Sequence, residues 1–109
     1  MKEYIIGYIL KGCPYSMMAN DILKQNPNNQ LIYVDPSEKD KYKKLNHMST
    51  FPQIFYIKDG QRIKIGGYDD LSSLLDKNKS NDRKELYKNC NAKISYRTFL
   101  KMLLYLNRS

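Results

Sequence analysis

Residues 4–10, YIIGYIL, and residues 11–16, KGCPYS, together specify a strand that turns directly into a helix. The first segment is an almost unbroken run of apolar and β-favouring residues, which is typical of a strand buried on both faces. Gly12 and Pro14 interrupt that run, and apolar residues then recur at helical spacing as far as residue 25. The sequence therefore places Cys13 at the junction between a buried strand and the first turn of a helix.

The rest of the chain continues this alternation of strands and helices, and Asp59-Gly60 is a strong hairpin signal. We predict strands at 4–10, 30–34, 53–57 and 61–65, and helices at 16–25, at 37–45 with Ser37 as N-cap, and from an Asp69 or Asp70 N-cap through Leu75. The first half is a βαβ unit with parallel strands, and the second half is an antiparallel hairpin followed by a helix. The expected fold class is therefore α/β, with a four-stranded mixed sheet flanked by helices.

Charge divides the chain into two parts. Its 109 residues suit one domain and carry 19 Lys and Arg against 11 Asp and Glu, a net charge of +8. Residues 1–76 carry ten basic and nine acidic residues, a net of +1, whereas residues 77–109 carry nine and two, a net of +7. Because a polar linker-like run starts at residue 77, we predict a domain at 1–77 and a basic helical extension at 78–109.

The extension is predicted to form a short helix near 83–89 and a longer one at 95–106. The longer helix carries a broad apolar stripe, which we expect to pack on the domain: Phe99, Leu100, Leu103, Leu104 and Leu106. The tail has no recognised nucleic-acid-binding motif beside its charge, so we do not expect a nucleic-acid partner.

The cysteine count and the hydropathy limit the class of protein. Two cysteines exclude a disulfide-rich secreted scaffold and a four-thiolate zinc site. No apolar run approaches the ~18 residues of a membrane span, and the first residues do not resemble a secretory signal. We therefore expect a cytoplasmic protein in a reducing compartment, and we interpret Cys90 as structural or incidental.

Cys13 is the leading candidate for chemistry. The N-terminus of a helix presents unpaired N–H groups and about half a positive charge, which favours a thiolate over a thiol. Pro14 suits the first helical position because it has no N–H to lose there. The competing interpretation is a buried cysteine that acts as a small hydrophobic residue.

Three motifs resemble those of the glutaredoxin family over roughly residues 3–77. Cys13-Pro14-Tyr15-Ser16 is similar to the active-site tetrapeptide Cys-Pro-Tyr-Cys, with serine in place of the second cysteine. Thr50-Phe51-Pro52 resembles the Thr-Val-Pro segment, and residues 66–71, GGYDDL, resemble the Gly-Gly-x-Asp-Asp-Leu segment. The three occur in the family's order at predicted strand and helix ends.

The resemblance implies a thioredoxin-like fold with a glutathione site. Cys13 would be the nucleophile, in an active-site loop with Pro14, Tyr15 and Ser16, and Pro52 would be a cis proline beside it. The glutathione-binding residues would be Lys11, Tyr15, Phe51, Pro52, Gly67, Tyr68, Asp69 and Asp70. Many members carry a lysine three residues before the nucleophile, whereas this chain has Leu10 there and Lys11 one position later.

The serine changes the implied mechanism. Because Ser16 cannot form a disulfide, the resemblance implies a monothiol oxidoreductase that reduces glutathionylated proteins, with glutathione as co-substrate, no metal and a monomeric state. One alternative is a glutathione-ligated [2Fe–2S] cluster held through Cys13, a role associated mainly with Cys-Gly-Phe-Ser sites. The other alternative is a redox-inactive binding module that acts through its basic tail.

Overall fold

A computed structural model describes residues 3–75, 83–89 and 94–107 of the chain. The strands are β1 (Glu3–Leu10), β2 (Gln30–Val34), β3 (Gln53–Lys58) and β4 (Gln61–Gly66), and the helices are α1 (Pro14–Leu23), α2 (Lys39–Asn46), α3 (Tyr68–Leu74), α4 (Arg83–Lys88) and α5 (Tyr96–Asn107). The sheet order is β2-β1-β3-β4. β1 pairs in parallel with β2 and antiparallel with β3, and β3 pairs antiparallel with β4. The predicted α/β fold with a four-stranded mixed sheet is confirmed.

The sheet separates two apolar layers because successive side chains of a strand point to opposite faces. On one face, Ile5 and Ile9 of β1 contact a layer formed by α1, α3 and α5. On the other face, Ile6 and Tyr8 join a smaller cluster that includes Tyr42 of α2. Both faces of β1 are thus covered, as its unbroken apolar sequence predicts. None of the described helices is long and apolar enough to cross a bilayer.

Three local predictions about helix starts were wrong. α1 begins at Pro14 rather than at residue 16. α2 begins at Lys39 with Glu38 as its N-cap, so Ser37 does not hold that position. Ser37 lies in a short 3-10 turn, Pro36–Glu38, whose N-cap is Asp35. The Asp35 carboxylate accepts hydrogen bonds from the backbone N–H and hydroxyl of Ser37, at 3.1 and 2.6 Å. These bonds lower the pKa of Asp35, and the positive charge of Lys11 contributes less to that shift.

α3 begins at Tyr68 with Gly67 as N-cap, so neither Asp69 nor Asp70 holds that position. Asp69 and Asp70 are instead the second and third residues of the helix, in its first turn. Negative charge is favourable there because unpaired backbone N–H groups point toward it.

The α5 helix packs through a partly different set of side chains from the one predicted. Phe99 and Leu103 are buried, as expected, and Met102 and Tyr105 are buried beside them. Leu104 is 65% exposed, because the buried stripe follows the 3.6-residue helical period and Leu104 lies off that stripe. Cys90 and the whole of the predicted linker, residues 77–82, lie outside the described residues.

Candidate active site

Cys13 lies at the point where β1 turns into α1. Gly12 has a φ of +83°, a conformation that favours glycine, and it reverses the chain just before the cysteine. Cys13 is the extended N-cap residue of α1, and its carbonyl accepts the first helical hydrogen bond from Met17 N–H at 3.0 Å. Pro14 follows at the first helical position. This geometry leaves the Cys13 thiol half-buried at the positive end of a helix.

The peptide bond between Phe51 and Pro52 is cis, as the resemblance implied. Cys13 Sγ lies 4.0 Å from the carbonyl oxygen of Phe51, a residue 38 positions later in the sequence. Phe51 and Pro52 are both buried, where the chain enters β3 from the loop after α2. The thiol and this loop therefore meet at one end of the sheet, where β1 ends and β3 begins.

A groove of about 670 Å³ opens next to this contact. It brings together six of the predicted glutathione-binding residues: Tyr15, Phe51, Gly67, Tyr68, Asp69 and Asp70. Tyr15 and Tyr68 both line it and pack against each other, with their ring centroids 6.0 Å apart. One concave surface is thus formed by three segments that are distant in sequence: the start of α1, the loop before β3 and the start of α3.

Lys11 and Pro52 are not among the described residues that line this groove. Lys11 is exposed, and its charge acts on Asp35 at the end of β2. Pro52 is fully buried, next in sequence to the groove-lining Phe51. Cys13 borders the groove through its contact with the Phe51 carbonyl.

Asp70 lines the groove, and its carboxylate stabilises the start of α3. Its Oδ2 atom accepts a hydrogen bond from the Gly67 backbone N–H at 3.0 Å, which closes the first turn of α3. Gly66 has a φ of +124°, and a Cβ atom there would lie 2.2 Å from Asp70 Oδ2. Gly66 is therefore required both for its backbone conformation and for the close approach of Asp70. Asp69, in contrast, is exposed at the groove.

Sequence reasoning missed several groove residues, of which Lys64 is the most notable. The lining also includes His47, Met48, Ser49 and Thr50 from the loop after α2. Lys64 Nζ donates a hydrogen bond to the His47 carbonyl oxygen at 3.0 Å, which joins β4 to that loop. The alternation of polar and apolar residues along β4 could have indicated Lys64. Arg62 and Lys64 lie on one face of the strand, and the buried Ile63 lies on the other.

Ser16 faces the protein interior. Its side chain is fully buried, and its Oγ has no hydrogen-bond partner among the described residues. Because α1 starts at Pro14, Ser16 is the third residue of the helix and points inward. In the described part of the chain, no group of three or more His, Cys, Asp or Glu side chains is placed to hold a metal ion.

Comparison with known proteins finds a family model, a related sequence and a similar solved structure. A family model described as Glutaredoxin matches residues 5–63. The curated protein Glutaredoxin 1 of Rickettsia bellii (strain RML369-C) is 43% identical over 77 residues, which cover 64% of this chain and 74% of that protein. The crystal structure of glutaredoxin 1 from Francisella tularensis, complexed with cacodylate, has a TM-score of 0.51 and 26% identity, covering 65% of this chain and 90% of that one.

Proposed function

This chain belongs to the glutaredoxin family of thiol–disulfide oxidoreductases, with its thioredoxin-like fold, and we propose that it reduces protein–glutathione mixed disulfides through Cys13 alone. The observation that carries the proposal is the position of Cys13. Its sulfur lies at a helix N-terminus, 4.0 Å from the Phe51 carbonyl, at the border of a groove large enough for a tripeptide. A thiolate is favoured at such a position, and the thiolate is the form that attacks a disulfide.

Glutathione would lie along the groove in an extended conformation. The Phe51 backbone would pair with the glutathione backbone in the manner of an added strand. The γ-glutamyl carboxylate would meet backbone N–H groups in the first turn of α3, at Tyr68 and Asp69, and the Asp69 side chain would meet the γ-glutamyl ammonium. The Tyr15 and Tyr68 rings support this placement because they pack against each other and join the starts of α1 and α3 along one groove.

The reaction has two disulfide exchanges. In the first, the Cys13 thiolate attacks the glutathione sulfur of the substrate. The substrate disulfide breaks, the protein thiolate leaves and takes up a proton, and Cys13 becomes glutathionylated. In the second, the thiolate of free glutathione attacks the glutathione sulfur on Cys13, which releases glutathione disulfide and restores the Cys13 thiolate. The net reaction converts one protein–glutathione mixed disulfide and one free glutathione into one protein thiol and one glutathione disulfide.

Ser16 cannot form a disulfide with Cys13, because its side chain is a hydroxyl. Cys13 would therefore be regenerated by free glutathione, as in the second exchange. The second exchange therefore depends on free glutathione, which is the reductant of a cytosol-like compartment. We accordingly expect the protein to act as a cytoplasmic monomer.

Two variants test the proposal in an assay of glutathione release from a glutathionylated peptide. Cys13→Ser should abolish release, because it removes the attacking sulfur. Ser16→Ala should retain most of the activity, because the Ser16 hydroxyl is buried and has no partner among the described residues.

Equal loss of activity in both variants would contradict the monothiol scheme. A folded wild-type protein that releases no glutathione from any substrate would contradict the enzymatic proposal and favour a redox-inactive binding module. Visible iron–sulfur absorption that requires both Cys13 and glutathione, in a protein without exchange activity, would instead indicate the cluster-binding alternative.

A further inference from the structure

A second cleft adjoins the candidate glutathione groove. It has a volume of about 460 Å³ and shares two lining residues with the groove, His47 and Lys64. The cleft is lined by Tyr8, Leu45, Asn46, His47, Phe55, Arg62 and Lys64. Because the two depressions have a common border, a molecule that extends out of the groove can enter this cleft.

The edge strand β4 supplies the positive charges of the cleft. Ile63 and Ile65 of this strand are buried in the layer under α1, α3 and α5. Strand alternation therefore directs Arg62 and Lys64 to the opposite face, where they lie in register with Ile57 and Phe55 of β3.

Arg62 is held in place by three contacts although its side chain is on the surface. One guanidinium nitrogen donates to Asn46 Oδ1 at 2.7 Å and to the Tyr8 hydroxyl at 3.3 Å. The guanidinium carbon lies 4.0 Å from the centroid of the Phe55 ring. Asn46 is itself fixed, because it donates to the buried Gln53 Oε1 at 2.7 Å. A guanidinium restrained in this way loses little further freedom when it binds a ligand.

The positive charge of the cleft is not neutralised by the described residues. None of the described lining residues is an aspartate or a glutamate. Within the described ranges, neither Arg62 nor Lys64 forms an ion pair, whereas Lys24 pairs with Asp21 and Lys43 with Asp40. Lys64 donates to a neutral carbonyl instead. Two cations therefore face a concave surface beside the reaction site without a carboxylate partner.

We propose that this cleft binds carboxylate side chains of the protein substrate, so that the preferred substrates are proteins with acidic residues near the glutathionylated cysteine. The inference rests on the proposed function. The protein substrate is the expected occupant because it is disulfide-linked to the glutathione that fills the groove, and the cleft continues from that groove. Arg62 and Lys64 would provide complementary charge, which distinguishes acidic from neutral or basic partners.

The test compares two peptides that carry one glutathionylated cysteine, flanked by glutamates in the first and by glutamines in the second. For the wild-type protein at low salt we expect kcat/KM to be about 4- to 10-fold higher for the acidic peptide, from two exposed charge pairs. Arg62→Gln should lower that ratio by about 2- to 5-fold, and Arg62→Lys should retain most of it. Salt at ~1 M should bring the wild-type ratio close to one.

Lys101→Gln is the matched control because it removes one exposed positive charge from α5, which packs on the opposite face of the sheet. This variant should keep the wild-type ratio. An equal fall in Arg62→Gln and Lys101→Gln would mean that net charge alone sets the preference, and would overturn the inference. An equal loss in Arg62→Lys and Arg62→Gln would overturn it too, because the role of Arg62 would then be structural.

The outcomes also separate this inference from the proposed function. Equal turnover of both peptides by the wild-type protein would overturn the acidic-substrate inference and leave the oxidoreductase intact. No release from either peptide would overturn the proposed function itself. If Arg62→Gln fails to fold, the salt dependence of the wild-type ratio decides: a ratio that does not fall with salt overturns the inference.

Discussion

Asp69 and Asp70 are adjacent carboxylates with different environments. Asp70 accepts the Gly67 backbone N–H and lies against Gly66, where only a glycine leaves enough space. Asp69 is exposed and lines the groove. At the scale of single residues, we therefore assign Asp70 mainly to the stability of the α3 N-terminus and Asp69 to the binding of glutathione.

Alanine substitutions separate these roles. Asp70→Ala should lower the free energy of unfolding by about 0.5–2 kcal/mol, the usual cost of a lost helix cap. Asp69→Ala should change it by less than about 0.5 kcal/mol, because the side chain is exposed. Asp69→Ala should raise the KM for glutathione more than it lowers kcat, because it removes binding rather than chemistry.

Urea denaturation and steady-state kinetics measure the two effects. A large loss of stability in Asp69→Ala would contradict the division of roles. A fall in kcat at unchanged KM in that variant would contradict the binding role of Asp69.

Individual site residues were predictable from the sequence only where a motif marked them. The motifs around residues 13, 51 and 67 identified Cys13, Phe51 and Gly67, which the structure brings to one edge of the sheet. Lys64 belongs to no such motif, and it reaches the groove only because the β4 register and the bond to the His47 carbonyl place it there. The alternation along β4 indicates which face of the strand carries Lys64, but the contacts that bring it to the groove depend on tertiary structure.

At the scale of elements, the basic tail packs on the domain mainly through α5, and Leu86 and Tyr87 of α4 pack against the same layer. Phe99 is fully buried, and Met102, Leu103 and Tyr105 join the same layer as α1 and α3. The Tyr105 hydroxyl donates to Asn29 Oδ1 at 2.6 Å and accepts from Asn26 Nδ2 at 3.0 Å, which ties α5 to the loop after α1. These contacts support our proposal that the tail is an extension packed on the domain.

Two substitutions in α5 test this packing. Phe99→Ala should destabilise the protein by about 3–5 kcal/mol, because it removes a fully buried aromatic side chain. Leu104→Ala should change stability by less than about 0.5 kcal/mol, because Leu104 is 65% exposed. Thermal and chemical denaturation of both variants give the comparison, and similar costs for the two would show that α5 does not pack in this orientation.

Helical periodicity predicted that α5 exists but not which side chains it buries. Five apolar residues between 99 and 106 formed a stripe too broad to assign a single face. The buried face also includes Tyr105, whose hydroxyl requires polar partners when it is buried. Those partners, Asn26 and Asn29, are more than 70 residues away in the sequence, so no local pattern could identify them.

At the scale of the whole molecule, the fold determines where the chemistry takes place. β1 is a central strand and leads into α1. Cys13 therefore lies at the end of the sheet where the loop before β3 and the start of α3 also lie. The βαβ pattern and the hairpin were enough to predict a four-stranded mixed sheet, but not the order of its strands. The boundary between domain and extension at residues 77 and 78 stays a prediction, since it falls outside the described residues.

The most direct test of the central claim is a single-turnover reaction followed by mass spectrometry of the intact protein. Reduced protein is mixed with a glutathionylated peptide in the absence of free glutathione. We predict that Cys13 gains one glutathione, that the peptide leaves as a free thiol, and that added glutathione restores the original mass. An oxidised protein that instead loses two hydrogens, through a disulfide between Cys13 and Cys90, would contradict the monothiol account.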